Sequence, residues 1–220
     1  MSRGKRIISA VIAFAFALSL ISIPVVGESK NVKVLGEWGE ILNRYAGMPP
    51  TYADEDLYAV GNSITVTKRE VEQATDFFVR ASDDYDTARA KAIDSAMKRE
   101  ALYAAAVKNG YTVTEEEIWE YLDGLKEFIS GATNKDDVQA VIDAFPSEED
   151  YWNYEFTVYQ KNLPIEKYAD HLRKVYYEQL NSEGAEGDYN LLWKEYYEEF
   201  QEQLVEEQEF QIVDQINQTK

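Results

Sequence analysis

The sequence predicts a mainly α-helical fold that contains one short β element and is completed by long C-terminal helices. Apolar residues recur at helical spacing through most of the chain after residue 67. Around the turn dipeptide Gly61-Asn62, by contrast, the residues favour short strands. Two helix starts are marked by capping boxes, in which a threonine is followed three residues later by a glutamate: Thr67 with Glu70 and Thr114 with Glu117.

Residues 1–27 are predicted to be a signal peptide or an N-terminal membrane anchor. Basic residues, Arg3, Lys5 and Arg6, precede an apolar run from Ile7 to Val26. Small residues before the end of the run would suit a signal peptidase that cleaves after Gly27. The run is also long enough to span a bilayer, which takes about 20 residues, if it is not cleaved. Both alternatives predict an extracytoplasmic protein, membrane-anchored or secreted, because the basic flank stays inside.

Residues 28–56 are predicted to be a tether with one short helix around Glu37–Tyr45. This segment is rich in residues that interrupt regular structure: Gly36, Gly39, Gly47, Pro49 and Pro50. The first folded segment should then begin with two short strands on either side of the turn. Three helices are expected to follow, over about 67–82, 87–109 and 115–130.

The remaining chain is also predicted to be helical. A short helix should begin at Asp136 or Asp137 and include Phe145. Pro146-Ser147 then separates it from a helix over 148–162. Pro164 can occupy the first turn of a helix over about 164–181, and a loop leads to a last helix over about 189–215.

Composition excludes several classes of function. The formal net charge of -19 argues against a nucleic-acid partner, whose phosphates the chain would repel. The sequence has no cysteine and one histidine, His171, so neither a zinc site nor a cysteine nucleophile is predicted. No phosphate-binding or nucleophile-elbow motif occurs, and we therefore expect no cofactor and no catalytic residue. Acidic triplets at Glu115 and Glu148 are explained by the favourable position of negative charge at helix starts.

Two stretches together resemble a known family. Residues 60–72 read VGNSITVTKREVE, and residues 92–122 read AIDSAMKREALYAAAVKNGYTVTEEEIWEYL. This order resembles the N-terminal domain of SurA/PrsA-type exported chaperones, relatives of the trigger-factor chaperone module. The matching positions are Val60, Gly61, Ile64, Thr65, Glu70, Ala105, Gly110, Val113, Thr114, Glu117 and Ile118. Asn62 follows Gly61 where the family has the reverse order, and Tyr111 stands where an aliphatic residue is usual.

The resemblance implies a SurA N-terminal-like helical domain over 57–163 and a C-terminal helical extension, 164–220, that packs back on it. Family members often carry a parvulin prolyl-isomerase domain after this region. That domain needs glycine-rich strand turns and usually paired histidines, which residues 164–220 lack. The resemblance therefore implies peptide binding and assistance in protein folding, without isomerase activity.

The feature of the sequence that suggests a binding site is its aromatic content. Aromatic residues crowd the segment 151–159 and recur along the last helix, and no single helix face can hold those of the first segment. They either fill the core or line a cleft for extended polypeptide. As candidate peptide-binding residues we take Tyr151, Trp152, Tyr154, Phe156, Tyr159, Trp193 and Tyr197.

Three hypotheses follow for function. The first is an exported chaperone-like protein that binds unfolded or extended polypeptides without a cofactor. The second is an envelope structural or assembly protein that binds one folded partner through its aromatic helices. The third is an enzyme, either a cryptic prolyl isomerase or a carboxylate hydrolase, and it is the least favoured because no catalytic constellation is visible in the sequence.

Overall fold

A computed structural model of the protein describes residues 31–47, 56–81, 83–132 and 135–213. The predicted leader, residues 1–27, lies outside these ranges. The described part is mainly helical with a small antiparallel sheet, which confirms the predicted fold class. Its helices are α1 Asn31–Ala46, α2 Lys68–Arg80, α3 Tyr85–Lys108, α4 Glu115–Ser130, α5 Lys135–Ile142, α6 Glu148–Glu183 and α7 Tyr189–Gln208. Its strands are β1 Leu57–Val60, β2 Thr65–Thr67 and β3 Gln211–Ile212.

Helix α1 belongs to the folded body, so the tether interpretation is wrong for residues 31–46. Its apolar face is buried, with Trp38 against Phe77 of α2 at a ring-centroid distance of 6.3 Å. Gly39 allows the close approach to α5, since a Cβ built there would lie 2.6 Å from the carbonyl oxygen of Val141. Gly39, one of the glycines that suggested a tether, is therefore required for the packing of α1 on α5.

The capping signals in the sequence set the starts of α2 and α4. Thr67 and Thr114 both accept a hydrogen bond from the third backbone N–H of their helix, and each glutamate closes its box. Helix α3 begins two residues before the predicted position because Asp84 is its cap and accepts from the N–H of Thr87. Local side-chain chemistry therefore explains where these three helices begin.

Helix α6 runs unbroken through Pro164, so the prediction of two helices that meet there is wrong. Proline inside a helix removes one hydrogen bond and costs about 3 kcal/mol or more. Here Leu163 and Ile165 are both buried, in two different core clusters, so apolar packing on either side holds the helix continuous. The proline marks the point where α6 passes from one cluster to the other.

The last helix ends earlier than predicted. α7 stops at Gln208, and Glu209 adopts the left-handed conformation that ends it. The chain then turns back and β3 pairs antiparallel with β1, which gives the sheet order β2-β1-β3. The backbone N–H of Asn62 also donates to the carbonyl of Gln208 at 2.8 Å. The end of α7 is therefore fastened to the turn between β1 and β2.

Two core clusters organise the molecule. The larger one joins α1, α2, α4, α5, the sheet, the first half of α3 and the first half of α6. The smaller one joins the alanine-rich second half of α3 to the middle of α6 and the end of α7 through Ala101, Leu102, Ala105, Ala106, Ile165, Tyr168 and Leu204. In the described part of the chain no helix is both long and apolar enough to cross a bilayer.

Candidate functional site

Four of the predicted binding residues lie in the core. Tyr151, Trp152, Tyr154 and Tyr159 are 2%, 5%, 9% and 1% exposed, so an extended chain has no access to them in this conformation. The hydroxyl of Tyr154 accepts a hydrogen bond from Gln73 of α2 at 2.9 Å, a typical arrangement for a buried tyrosine. Rings on all sides of α6 can be buried here because several other elements enclose the helix. The prediction that these four residues line a peptide-binding cleft is therefore wrong.

Phe156 has a different environment on the α4 side of α6. It is partly buried, and its ring stacks on Trp119 of α4 with centroids 4.8 Å apart. The ammonium group of Lys126 lies 5.9 Å from the Trp119 ring centroid and 4.9 Å from that of Trp152. This small surface is therefore already occupied by a cation of the same chain, which makes it a poorer binding site.

The other two predicted residues, Trp193 and Tyr197, belong to an aromatic hairpin. We define this hairpin as the end of α6 from residue 168, the connecting loop, and α7. Tyr176 of α6 stacks on Tyr196 of α7 at 4.3 Å, and Trp193 stacks on Tyr197 at 4.9 Å. The complete set of hairpin rings is Tyr168, Tyr176, Tyr177, Tyr189, Trp193, Tyr196, Tyr197 and Phe200.

The distal part of the hairpin lacks a third layer, whereas nearer the base Tyr197 and Phe200 pack against the smaller core cluster. Between residues 169 and 200, Leu180 alone is buried. Val175 and Leu191 are 47% and 55% exposed, and all the hairpin rings except the buried Tyr168 are half-buried. The distal rings therefore connect the two helices to each other and remain partly exposed to solvent.

The base of the hairpin is held firmly while its distal end stands free. Leu204 packs on the alanine surface of α3, and Gln208 exchanges hydrogen bonds with Ser63 at 3.0 and 3.1 Å. At the distal end, the Tyr177 hydroxyl donates to Asn190 at 3.0 Å. A binding surface placed on such an arm has a rigid support and is accessible from outside the body.

The electrostatics of the hairpin are strongly acidic. Between Glu178 and Glu209, Lys194 is the single basic residue of the sequence. On α7 the rings recur every three or four residues along one face, and the carboxylates Glu195, Glu198, Glu199, Glu202 and Glu206 follow the opposite face. Within the described structure the one ion pair of these five is Glu202 with Lys98, at 3.9 Å.

A buried ionic network lies elsewhere, between α2, α3 and α6. Glu100 is 1% exposed and accepts from Lys161 at 2.7 Å and from Arg99 at 3.0 Å. Lys161 also contacts Glu70 at 3.1 Å. Burial, with the neighbouring Glu70 carboxylate, raises the pKa of Glu100 to about 7. Although burial opposes it, the cationic groups of Lys161 and Arg99 lower the pKa of Glu70 to about 2.

Glu155 is the second unusual buried carboxyl group. It is 1% exposed, and among the described residues neither of its oxygens makes a hydrogen bond of normal geometry. Burial raises its pKa to about 8, against a smaller opposing effect of the Tyr151 hydroxyl. Perturbed carboxyl groups are common at active sites, but they act there on a substrate that can reach them. Glu100 and Glu155 are closed off in the core, and we assign both to the structure of the fold.

Only part of these sites could be predicted from the sequence. Glu70 could be recognised as a capping residue, but its hydrogen bond from Lys161 could not, because that residue is 91 positions away in the chain. His171 is exposed and lies 5.8 Å from the Tyr111 ring centroid. Across the described ranges, no three His, Asp or Glu side chains are grouped to hold a metal ion. Comparison with protein-family models, curated proteins and solved structures gives no match for this chain.

Proposed function

We propose that the protein is an exported, noncatalytic binding protein that holds extended or unfolded polypeptide segments on the aromatic hairpin. One observation carries the proposal: half-buried rings that include Tyr176, Trp193 and Tyr196 contact one another on the part of the hairpin that has no third layer. The resemblance to SurA/PrsA-type chaperones and the predicted leader support the same function.

Aromatic rings are suited to this task for a physical reason. Each large ring can bury about 150–250 Å² against a partner and has few rotamers to lose. Rings that already contact one another within the hairpin offer only part of their surface to a ligand. Such limited surface favours weak and reversible contacts with many kinds of side chain. Such binding requires neither a cofactor nor a nucleotide.

The direct test is suppression of aggregation of a reduced, unfolded client. The double variant Trp193→Ala/Tyr196→Ala removes two of these half-buried rings, and its affinity for a labelled client peptide should fall by about tenfold or more, since truncated aromatic contacts cost about 1–3 kcal/mol. The matched control is Tyr85→Ala/Phe128→Ala, which removes two aromatic side chains that are 61% and 47% exposed outside the hairpin. The control should retain both activities, and circular dichroism checks that each variant stays folded.

Two outcomes would contradict the proposal. Failure of the unaltered protein to delay aggregation at several-fold molar excess, with no peptide bound, would overturn it. Recovery of one stoichiometric folded partner by an unaltered protein that ignores unfolded clients would favour the alternative, an envelope assembly protein. A proline-peptide isomerisation assay checks the enzymatic alternative, and we expect no rate enhancement.

A further inference from the structure

Helix α1 starts at one end of the molecule. Near the start of α1, the carboxylate of Glu37 lies 3.4 Å from the guanidinium of Arg80, the last residue of α2. At the other end of the pair, Arg69 near the start of α2 donates to the carbonyl oxygen of Tyr45. The two helices are therefore antiparallel, and α3 begins shortly after α2 ends, at Tyr85. We call the region that holds the starts of α1 and α3 and the end of α2 the α1 end.

The tip of the aromatic hairpin lies at the opposite end of the molecule. Helices α3 and α6 run in the same direction, because Arg99 donates to Asn162 at 3.2 Å and, further along both helices, Asn109 donates to Tyr168 at 3.4 Å. The 24 residues of α3 lead roughly 35 Å away from the α1 end, at 1.5 Å per residue. Helix α6 then continues to Glu183, which adds about 20 Å of helix beyond Tyr168.

The length of the predicted leader favours an anchor over a cleaved signal. The apolar run from Ile7 to Val26 is 20 residues long. The apolar region of a signal peptide takes about 7–15 residues, whereas a helix that spans a bilayer takes about 20. Four residues, 27–30, separate this run from Asn31, and four residues of any chain reach at most about 14 Å. A retained leader would therefore keep the α1 end close to the bilayer.

The charge of the hairpin opposes contact between its tip and a membrane surface. From Glu178 to Glu209 the sequence has eleven acidic residues and one basic residue, Lys194. Anionic lipid headgroups repel a segment of this composition. The short connection at one end and the repulsion at the other both favour an orientation in which the tip points away from the bilayer.

We propose that the leader is retained as a membrane anchor and that the folded body holds the tip of the aromatic hairpin roughly 50 Å from the bilayer, on the side away from the α1 end. This inference rests on the proposed function and adds to it the place at which clients are bound. The hairpin reaches polypeptide segments in the aqueous phase, after they have left the membrane surface.

The first experiment tests whether the leader is retained. The full chain is expressed with its own leader, and the membrane fraction is washed with salt and with carbonate. We expect the protein to stay in the membrane and to have the mass of the full chain. Recovery of only a released chain that begins after Gly27 would overturn the inference.

The second experiment measures the orientation of the body by energy transfer. The sequence has no cysteine, so one introduced cysteine carries one donor dye. Asp86→Cys places the dye at the α1 end, and Glu186→Cys places it at the hairpin tip, both at exposed positions. The full chain is reconstituted in vesicles of phosphatidylcholine and phosphatidylglycerol that contain an acceptor-labelled lipid.

Transfer to the lipid should be several-fold more efficient from position 86 than from position 186, because transfer falls steeply with distance. Ser182→Cys, a second exposed position near the tip, is the matched control and should behave like Glu186→Cys. Equal transfer from both ends would mean that the body lies along the bilayer. Stronger transfer from the tip would mean that the orientation is reversed, and either result would overturn the inference.

The outcomes separate this inference from the proposed function. Fluorescence anisotropy with a labelled client peptide measures binding to the same reconstituted chain. If the peptide binds, Trp193→Ala/Tyr196→Ala weakens it, and the two ends show equal transfer, the orientation is refuted while the binding function stands. If the two ends differ as expected and no peptide binds, the orientation stands and the proposed function is refuted.

Discussion

Replacing Glu155 with glutamine should stabilise the protein, and the gain should grow as the pH rises. The carboxyl group is 1% exposed, and within the described part of the chain neither oxygen makes a hydrogen bond of normal geometry, although the Tyr151 hydroxyl lowers its pKa a little. Burial raises its pKa from 4.5 to about 8, and the Tyr151 hydroxyl opposes this rise only in part. In the folded state it is therefore protonated up to about pH 8, whereas in the unfolded chain it ionises near its ordinary value.

The size of the effect follows from proton linkage. Between pH 4.5 and 8 the folded state binds more protons at this position than the unfolded state, so the free energy of unfolding falls as the pH rises. The slope is about 1.4 kcal/mol per pH unit for one group. From pH 5.5 to 8.5 the advantage of Glu155→Gln should therefore increase by roughly 3 kcal/mol. The raised pKa of Glu100 acts in the same direction in both proteins and cancels in the comparison.

The assay is urea unfolding of the two proteins at half-unit steps of pH. The exposed Glu178→Gln on the same helix removes one charge without touching the core and serves as the control, for which we expect a change within about 0.5 kcal/mol at every pH. A glutamine variant that is no more stable than the unaltered protein at pH 8.5, or whose advantage is independent of pH, would show that Glu155 is not a buried, protonated carboxyl group in the folded state.

Two further predictions concern packing and the ionic network. Gly39→Ala should lower the free energy of unfolding by about 1–3 kcal/mol, because its methyl group would press on the backbone of α5. Gly124→Ala is the control and should not lower it, because a methyl group there would meet no described atom of another element within 4 Å. Lys161→Met should cost about 2 kcal/mol, less than the loss of a fully buried partner, since Arg99 still pairs with Glu100. Adding Glu100→Gln to Lys161→Met should restore part of the lost stability, and thermal unfolding measures the stability of both variants. No recovery would contradict the conclusion that Lys161 stabilises the charge of Glu100.

The features of the fold that depend on nearby residues could be predicted from the sequence. The capping boxes at Thr67 and Thr114 predict the starts of α2 and α4, because a capping box needs only four consecutive residues. Features that depend on distant partners could not. The close contact of Gly39 involves Val141, and the pairing of β3 with β1 joins residues about 150 positions apart in the chain.

The candidate site shows the same division. The aromatic residues of α6 and α7 were visible in the sequence, but spacing alone cannot tell how many layers of structure surround a helix. Tyr151 and Tyr159 lie where α6 is enclosed by other elements, and Tyr197 packs on the smaller core cluster, whereas Trp193 lies where the hairpin consists of two helices only. The difference between core and accessible ring is set by tertiary packing.

Cross-linking of a bound peptide tests directly whether the aromatic hairpin binds extended polypeptide. A client peptide that carries a photoactivatable cross-linker is bound to the full chain, irradiated and located by mass spectrometry. We expect cross-links within residues 168–208, around Trp193 and Tyr196, and loss of those cross-links in Trp193→Ala/Tyr196→Ala. Cross-links concentrated in residues 151–159, with the hairpin unlabelled, would contradict it.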